Sequence, residues 1–498
     1  MTSETIVTPA EAARRESRRW WTLALVVAAQ FMVVLDVAIV NVALPSIKTD
    51  LHFTQESLQW VVTAYAILFG GALLLGGRMG DLLGRRRMFM AGLALFTASS
   101  LLDGLAWSEG SLITFRALQG LGAALLSPAA LSILTTTFKE GRERNIALGV
   151  WGAASGSGGA AGVLLGGVLT SAFGWSWIFF VNLPVGVLLF FVAPLLVHES
   201  RADLGHRRFD AAGAVSITSG LMLLVYAMTR ASQHGWGTAS TIGLLAVATA
   251  LIASFVAIEL RSRSPLLPMR MFRLRTLATS NATQLLVAAA LFSQFFLLTL
   301  YMQQVLHYSA LKTGVAYVAL TVSIVGFSVV SQSLVTRIGI RKVLPVGLAM
   351  SAGALVLYAQ LPVHGHYFWN LFPAFLLSGI GLALSFVPMV IGGLTGVTQS
   401  DAGVASGLFN TSQQVGGAIG VAAATTIATT FTAHYVNSHP GSSLLGGSAL
   451  THGFEITFYV LAGLMVFGGL LAALFIESQP ATPQEEAFEG QLVLEAAA

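Results

Sequence analysis

The sequence predicts an all-α integral membrane protein of fourteen transmembrane helices, two six-helix bundles with two extra helices between them. Three observations predict it. The 498 residues are 55% hydrophobic and only 10% charged, whereas soluble domains carry about 25% charged residues. Apolar segments of about twenty residues recur, the length a helix needs to cross roughly 30 Å of hydrocarbon. The basic residues crowd into alternate loops between those segments. Composition also excludes some chemistry: without cysteine, no disulfide, thiolate metal site or cysteine nucleophile can form. The net charge of +4 sits in short loops, which membrane topology explains better than nucleic-acid binding.

The spans are read at about 20–46, 58–77, 88–106, 111–138, 145–172, 177–198, 211–230, 239–260, 277–303, 313–335, 343–361, 368–396, 403–433 and 455–476. The first follows Arg14, Arg15, Arg18 and Arg19, as a secretory signal would. Its length and the embedded Asp36 mark it instead as a retained transmembrane helix. One set of loops holds Arg78, Arg85 to Arg87, Lys139, Arg142, Arg144, Arg201, Arg207, Arg208, Arg261, Arg263, Arg270, Arg273, Arg275, Arg337, Arg341 and Lys342; the other holds Lys48, Arg230 and Lys312. Cytoplasmic loops are enriched in Lys and Arg, so both termini are expected in the cytoplasm of a cell whose inner membrane the chain crosses. Eight tryptophans, Trp20, Trp21, Trp60, Trp107, Trp175, Trp177, Trp236 and Trp369, fall near span ends, as interfacial aromatics do.

The organisation is therefore a cytoplasmic tail (1–19), a first bundle (20–198), two additional helices with linkers (199–276), a second bundle (277–477) and a cytoplasmic tail (478–498). The second half repeats one feature of the first: Thr336-Arg337-Ile338-Gly339-Ile340-Arg341-Lys342 stands where Gly77 to Arg87 stands, without its acid. Two related bundles around a central path leave such weak internal repetition.

The segment Gly77-Arg78-Met79-Gly80-Asp81-Leu82-Leu83-Gly84-Arg85-Arg86-Arg87 holds one carboxylate, four arginines and three glycines. It reads as a polar turn built for close helix approach and charge pairing. Gly77, Asp81, Gly84, Arg85 and Arg86 are the expected gating residues, with Asp81 accepting bonds from Arg85 or from the facing half when the cytoplasmic side is shut.

Span one ends Leu35-Asp36-Val37-Ala38-Ile39-Val40-Asn41-Val42-Ala43-Leu44-Pro45. A charged side chain at a helix centre costs on the order of 2.5–3.5 kcal/mol on insertion scales and usually faces an interior where it works. Desolvation favours the neutral acid, so Asp36 is expected to load and release a proton; a purely structural hydrogen bond is the alternative. In span four Arg116 lies about 8 Å from the outer end and Asp36 about 14 Å below Pro45, a difference an arginine side chain covers. Arg116 is expected to pair with Asp36 and to let go on protonation, the alternative being an arginine snorkelling outward. Span five carries Gly149, Gly152, Gly156, Gly158, Gly159, Gly162, Gly166 and Gly167, a set suited to close packing at a moving interface. No strand precedes Gly156-Ser157-Gly158, so a nucleotide loop is not expected.

Together these motifs resemble the fourteen-helix drug/proton antiporter branch of the major facilitator superfamily, over essentially the whole chain. Leu35 to Pro45 is similar to its first-helix motif, Gly77 to Arg87 to its loop motif and Arg116 to Gly120 to its fourth-helix motif. Trp177 to Gly186 and Ser406 to Gly417 are also similar to branch patterns. The span-five antiporter motif departs from the pattern, since Val163 follows Gly162 where a proline is usual. The local bend is then left to glycines. Span ten, Tyr317 to Val335, has no acid, which argues against dications as substrates.

The resemblance implies a secondary exporter of lipophilic or amphiphilic organic compounds, not an enzyme, driven by the proton gradient without cofactor or metal and expected to be monomeric. The alternative is a dedicated exporter of one endogenous metabolite, antibiotic or siderophore. Candidate substrate contacts are Gln30, Phe31 and Asn41 of span one, Tyr65 of span two, Gln294, Phe295, Tyr301 and Gln303 of span nine, and Asn410 and Gln413 of span thirteen. Amides and aromatics in an apolar pocket suit amphiphilic ligands.

Overall fold

The computed structural model of the chain describes residues 9–138, 141–201, 210–262, 265–439, 443–444 and 446–477, and among these there is no strand. The first bundle is built from α1 (Pro9–Asp50), a single turn α2 (Gln55–Leu58), α3 (Trp60–Leu83), α4 (Arg85–Gly104), α5 (Glu109–Thr137), α6 (Arg142–Phe173), α7 (Trp177–Phe180) and α8 (Asn182–Leu196). Two helices follow, α9 (Ala211–His234) and α10 (Ala239–Glu259). The second bundle comprises α11 (Arg275–Leu300), α12 (Ala310–Ala316), α13 (Val318–Ile338), α14 (Ile340–Ala359), α15 (Phe372–Gly393), α16 (Ala402–Ser438) and α17 (Gly447–Phe475).

Local sequence explains the breaks. Ser108 and Ser111 form a reciprocal capping box at the start of α5, and Asp210 caps α9 by accepting from Gly213 N at 2.7 Å, each satisfying amides that have no partner within the helix. Gly84 and Gly339, with φ of 113° and 81°, are the single residues that separate α3 from α4 and α13 from α14. Only glycine adopts such φ values without strain. The two halves thus share one device at equivalent places.

Twelve helices of the described residues are long and apolar enough to cross a membrane, thirteen if the two parts of α6, Arg142–Gly159 and Ala161–Phe173, which meet at 41°, form one span. α4 is 20 residues long, but its apolar stretch is shortened by Arg85 to Arg87 at one end and Asp103 at the other. The segment read as a polar turn is mostly helix: α3 runs on through Gly77, Gly80 and Asp81 to Leu83, and Gly84 alone makes the turn. A helix pays for its buried backbone polar groups internally, so continuing it past the apolar stretch leaves fewer groups to satisfy than a loop would.

α1 packs on α5, α6 and α8, and α3 and α4 pack on α5; in the second half α11 packs on α15, α16 and α17, and α14 on α15 and α17. The halves meet along two seams, α3 and α5 against α16, and α6 against α13 and α15. α9 lies on both α3 and α16, backed by α10.

The arginine-bearing segments gather at one end. There Arg18 donates to Leu195 O and Leu196 O, Arg19 pairs with Glu143 at 3.0 Å, Arg144 reaches Leu394 O at 3.3 Å and Arg270 pairs with Asp401 at 2.7 Å. Lys139, Arg207, Arg208, Arg263 and the tail 478–498 lie outside the described residues, as do the first eight residues. This end is shut: α15 is buried from Gly381 to Gly393 and α16 from Ala402 to Thr411. Toward the other end burial loosens, and along one side of α1 Val34 and Val37 are half-buried while Asn41 and Pro45 are exposed.

Candidate functional site

Two of the most buried charges of the first bundle meet inside it. Arg116 on α5 donates from Nη1 to Asp36 Oδ2 on α1 at 2.7 Å, and both side chains are almost completely buried, at 1% and 0% exposure. Asp36 Oδ1 accepts Gln119 Nε2 and Asn182 Nδ2, both at 2.9 Å. Arg116 also donates from Nε to Val61 O at 3.2 Å and to Gln119 Oε1, while its guanidinium lies 4.3 Å from the centre of the Tyr65 ring and 5.7 Å from that of Phe179. Asn182 donates on to Ser100 Oγ at 3.1 Å, which donates to Phe179 O at 2.9 Å.

Each contact follows from register. Arg116 and Gln119 are one turn apart on α5 and so share a face; Asn182 is the first residue of α8, directed inward where α7 gives way to α8. A carboxylate receiving three N–H donors is suited to its ionised form, and a buried pair needs that support because desolvation of two charges otherwise outweighs their attraction. Arg116 turns into the bundle, so it does not snorkel to the outer end. Gln119 and Asn182 both lie inside quoted motifs but were not among the expected site residues; an amide in an apolar helix was the available signal. Asp103, read as lying near a span end, is fully buried, and neither of its carboxylate oxygens has a hydrogen-bond partner.

A second cluster joins the halves at the arginine-rich end. Asp81, fully buried, accepts from Arg85 Nη2 at 2.8 Å and from the backbone amides of Gly403 and Val404 at 3.1 Å each. Those amides belong to the first turn of α16, which has no internal acceptors for them. A carboxylate there is favoured by the helix dipole, so Asp81 of one half caps a helix of the other. Gly77 and Gly403 sit back to back: a Cβ on either would strike the other's carbonyl oxygen. Gly84 abuts Glu199, which accepts from Arg86 N at 3.3 Å and lies 3.9 Å and 3.7 Å from Arg86 and Arg87. Ser200 O accepts Arg85 N at 3.0 Å. Glu199 and Ser200 were read only as linker, since nothing local in that segment marks a partner 113 residues away.

Of the ten expected substrate contacts, two are brought together across the halves. Ser127 of α5 donates to Gln30 Oε1 at 2.8 Å and lies 3.3 Å from Asn410 Oδ1. Tyr65 stacks on Arg116 and belongs to the ionic cluster. Gln294 is buried and donates to Ser378 at 2.8 Å, and Phe295 stacks on Tyr317. Tyr301 is tied to Pro362 O at 2.6 Å in a wide turn, Tyr301–Val305, that also holds Gln303. Asn41 is exposed and bonds its own helix at Val37 O; Phe31 and Gln413 are half-buried. A cavity of about 800 Å³ at the arginine-rich end, lined by Arg18, Arg19, Arg85, His198 and Arg201 among others, contains none of the ten.

Two helical bundles that meet along two seams, one carrying a buried ion pair and both joined by a cap at one end, are accompanied by a family and relatives that are transporters, not enzymes. The model of the Major Facilitator Superfamily matches residues 26–421, and the chain belongs to that family. It is 38% identical over 473 residues to the puromycin resistance protein pur8 of Streptomyces alboniger, covering 94% of each chain. It is 41% identical over 434 residues to the cephamycin export protein CmcT of Amycolatopsis lactamdurans, covering 85% of this chain and 89% of that one. It is 35% identical over 421 residues to the tetracenomycin C resistance and export protein of Streptomyces glaucescens, covering 83% and 76%. Among solved structures, the human organic anion transporter MFSD10 superposes with a TM-score of 0.62 at 16% identity, over 92% of this chain and 99% of that one, a likeness of fold.

Proposed function

We propose that this protein exports lipophilic or amphiphilic organic compounds across the cytoplasmic membrane in exchange for protons, by alternating access, with fourteen spans and both termini in the cytoplasm. The observation that carries the coupling is the ion pair of Asp36 and Arg116, sealed inside one bundle and held by Gln119 and Asn182. Protonating Asp36 removes the charge that holds Arg116, and the resulting repacking of α1 against α5 is the event that binding sites between the halves would sense. With the arginine-rich end in the cytoplasm, the Asp81 cap between the halves supports a conformation closed on the inner side. Export is supported by the relatives named for resistance and export. Those names also support the second reading, a dedicated exporter, because each concerns a single antibiotic. The polar bridge Gln30–Ser127–Asn410 is the favoured contact for substrate, since it alone of the expected contacts links both halves.

The test uses everted membrane vesicles, whose acidic lumen corresponds to the outer face. Ethidium and puromycin accumulation should rise with the pH gradient in the wild type and be lost in Asp36→Asn, with equal protein in the membrane. Accumulation in Asp36→Asn that still follows the gradient would overturn the coupling. A panel of structurally unrelated dyes and antibiotics separates the two readings: a dedicated exporter moves one compound and ignores the rest.

A further inference from the structure

Asp103 stands in the last turn of α4, fully buried, with both carboxylate oxygens unpartnered. An ionised carboxylate without donors is prohibitively costly in an apolar interior, and such a group is held as the neutral acid instead. Its surroundings say what it is for. The helices packed on α4 are α3, α5, α7 and α8; from these, Arg116 of α5 and Tyr65 of α3 act electrostatically on Asp103, as does Asp36 of α1. α7 and α8 bring no charged side chain, only Asn182 and the apolar Trp177 to Phe180. The hydroxyl of Tyr65 is also without a hydrogen-bond partner. Ser100, one turn before Asp103, joins the network that ends on Asp36 through Asn182.

We propose that Asp103 is a second proton-bearing carboxyl of this transporter, sharing the single cation Arg116 with Asp36. One guanidinium cannot neutralise two buried carboxylates, so the pair carries one proton between them. In this conformation Asp36 holds all the donors and is the ionised partner, and Asp103 is the acid. When the O–H bond of Asp103 breaks and one forms on Asp36, Arg116 is free to turn its N–H groups to Asp103, and the charge of the trio is unchanged. Asp103 stands at the end of α4 opposite Arg85 to Arg87, one turn beyond Ser100, which reaches Asp36 through Asn182. Asp103 is thus the carboxyl nearer the end opposite the arginines, the relay through which a proton from that side reaches Asp36.

The proposal rests on the proton-coupled reading, and two measurements keep the two apart. The first needs no substrate: infrared difference spectra of purified protein in liposomes should show the C=O stretch of a buried carboxylic acid at neutral pH, lost in Asp103→Asn, moved in Asp103→Glu and weakened in Asp36→Asn, where Arg116 is free to pair with Asp103. A band indifferent to both Asp103 variants overturns the proposal. The second compares ethidium uptake into everted vesicles driven by a pH gradient. Asp103→Asn should reduce it at least tenfold while leaving downhill ethidium equilibration intact, and Asp103→Glu should restore part of it. A buried acid with a merely structural role would leave the asparagine variant at wild-type rate, and that result overturns the relay. If wild-type vesicles ignore the gradient while the infrared band follows Asp103, it is the coupling reading that fails, and the relay role with it.

Discussion

Asn182 contributes one of the two amide donors on Asp36, and its loss is the cleanest probe of what the ionised carboxylate needs. Removing one partner of a buried bond costs about 1–3 kcal/mol, and about 1.4 kcal/mol is a factor of ten in rate. Asn182→Ala should therefore slow proton-driven ethidium export by about tenfold, checked by initial rates in everted vesicles, with Asn182→Asp failing outright because it sets a like charge against Asp36. Arg116→Ala should abolish active export where Arg116→Lys keeps some, since lysine supplies the charge but not the planar fork that reaches Asp36, Gln119 and Val61 O together. At this scale the sequence was legible where chemistry is improbable. A carboxylate at position 36 and an arginine at 116 are too costly in apolar helices to be incidental. Gln119 and Asn182 were not, because amides carry no such cost and their role depends on a packing that only three dimensions define. Asp103 was hidden by its place near a span end, where an acid usually meets water.

Among the elements, the crossing of α3 with α16 is decided by glycine. Gly77 and Gly403 let the two backbones touch, and a β-carbon at either place would meet the opposing carbonyl. Overpacking of this kind costs about 1–3 kcal/mol, here charged only to the conformation in which the arginine-rich end is shut. Gly403→Ala should accordingly favour the open state by about 5- to 150-fold in population. Double labels at Leu83→Cys and Ile338→Cys, both partly exposed positions at that end, should report a longer distance; the absence of native cysteine makes the pair selective. An unchanged distance would mean the crossing does not set the equilibrium. Spans were legible as apolar runs, but their ends were not: helix α3 continues six residues beyond its apolar run to Leu83, since buried neighbours, not hydropathy, decide how far it stays folded.

For the molecule as a whole, the question is what holds one end closed. Asp81 links three partners, Arg85 on its own side and two amides of α16 on the other. Asp81→Asn places an NH₂ group where a backbone N–H needs an acceptor, so at least one of those bonds is lost. The same Leu83 and Ile338 labels should show the inward-open population rising by about 5- to 150-fold, with ethidium binding retained and turnover slowed. A distribution identical to the wild type would remove Asp81 from the closure. The turn shared by Gly84 and Gly339 was legible from the repeated Gly and basic residues, whereas the place of the extra helices was not, because nothing in an apolar helix names the seam it will cover.

That place has a mechanical consequence. α9 rests on α3 and α16 at once, with Trp236, just beyond its end, donating to Thr426 of α16 at 2.7 Å and Met222 wedged beside Gly71 of α3. Among the described residues, α9 makes no comparable packing on the opposite seam, where α6 meets α13 and α15. When α3 and α16 part, α9 must travel with one and slide along the other, so the two seams cannot yield alike. On the alternating access proposed above, the molecule would be a book with one side of its binding stitched, opening about that side.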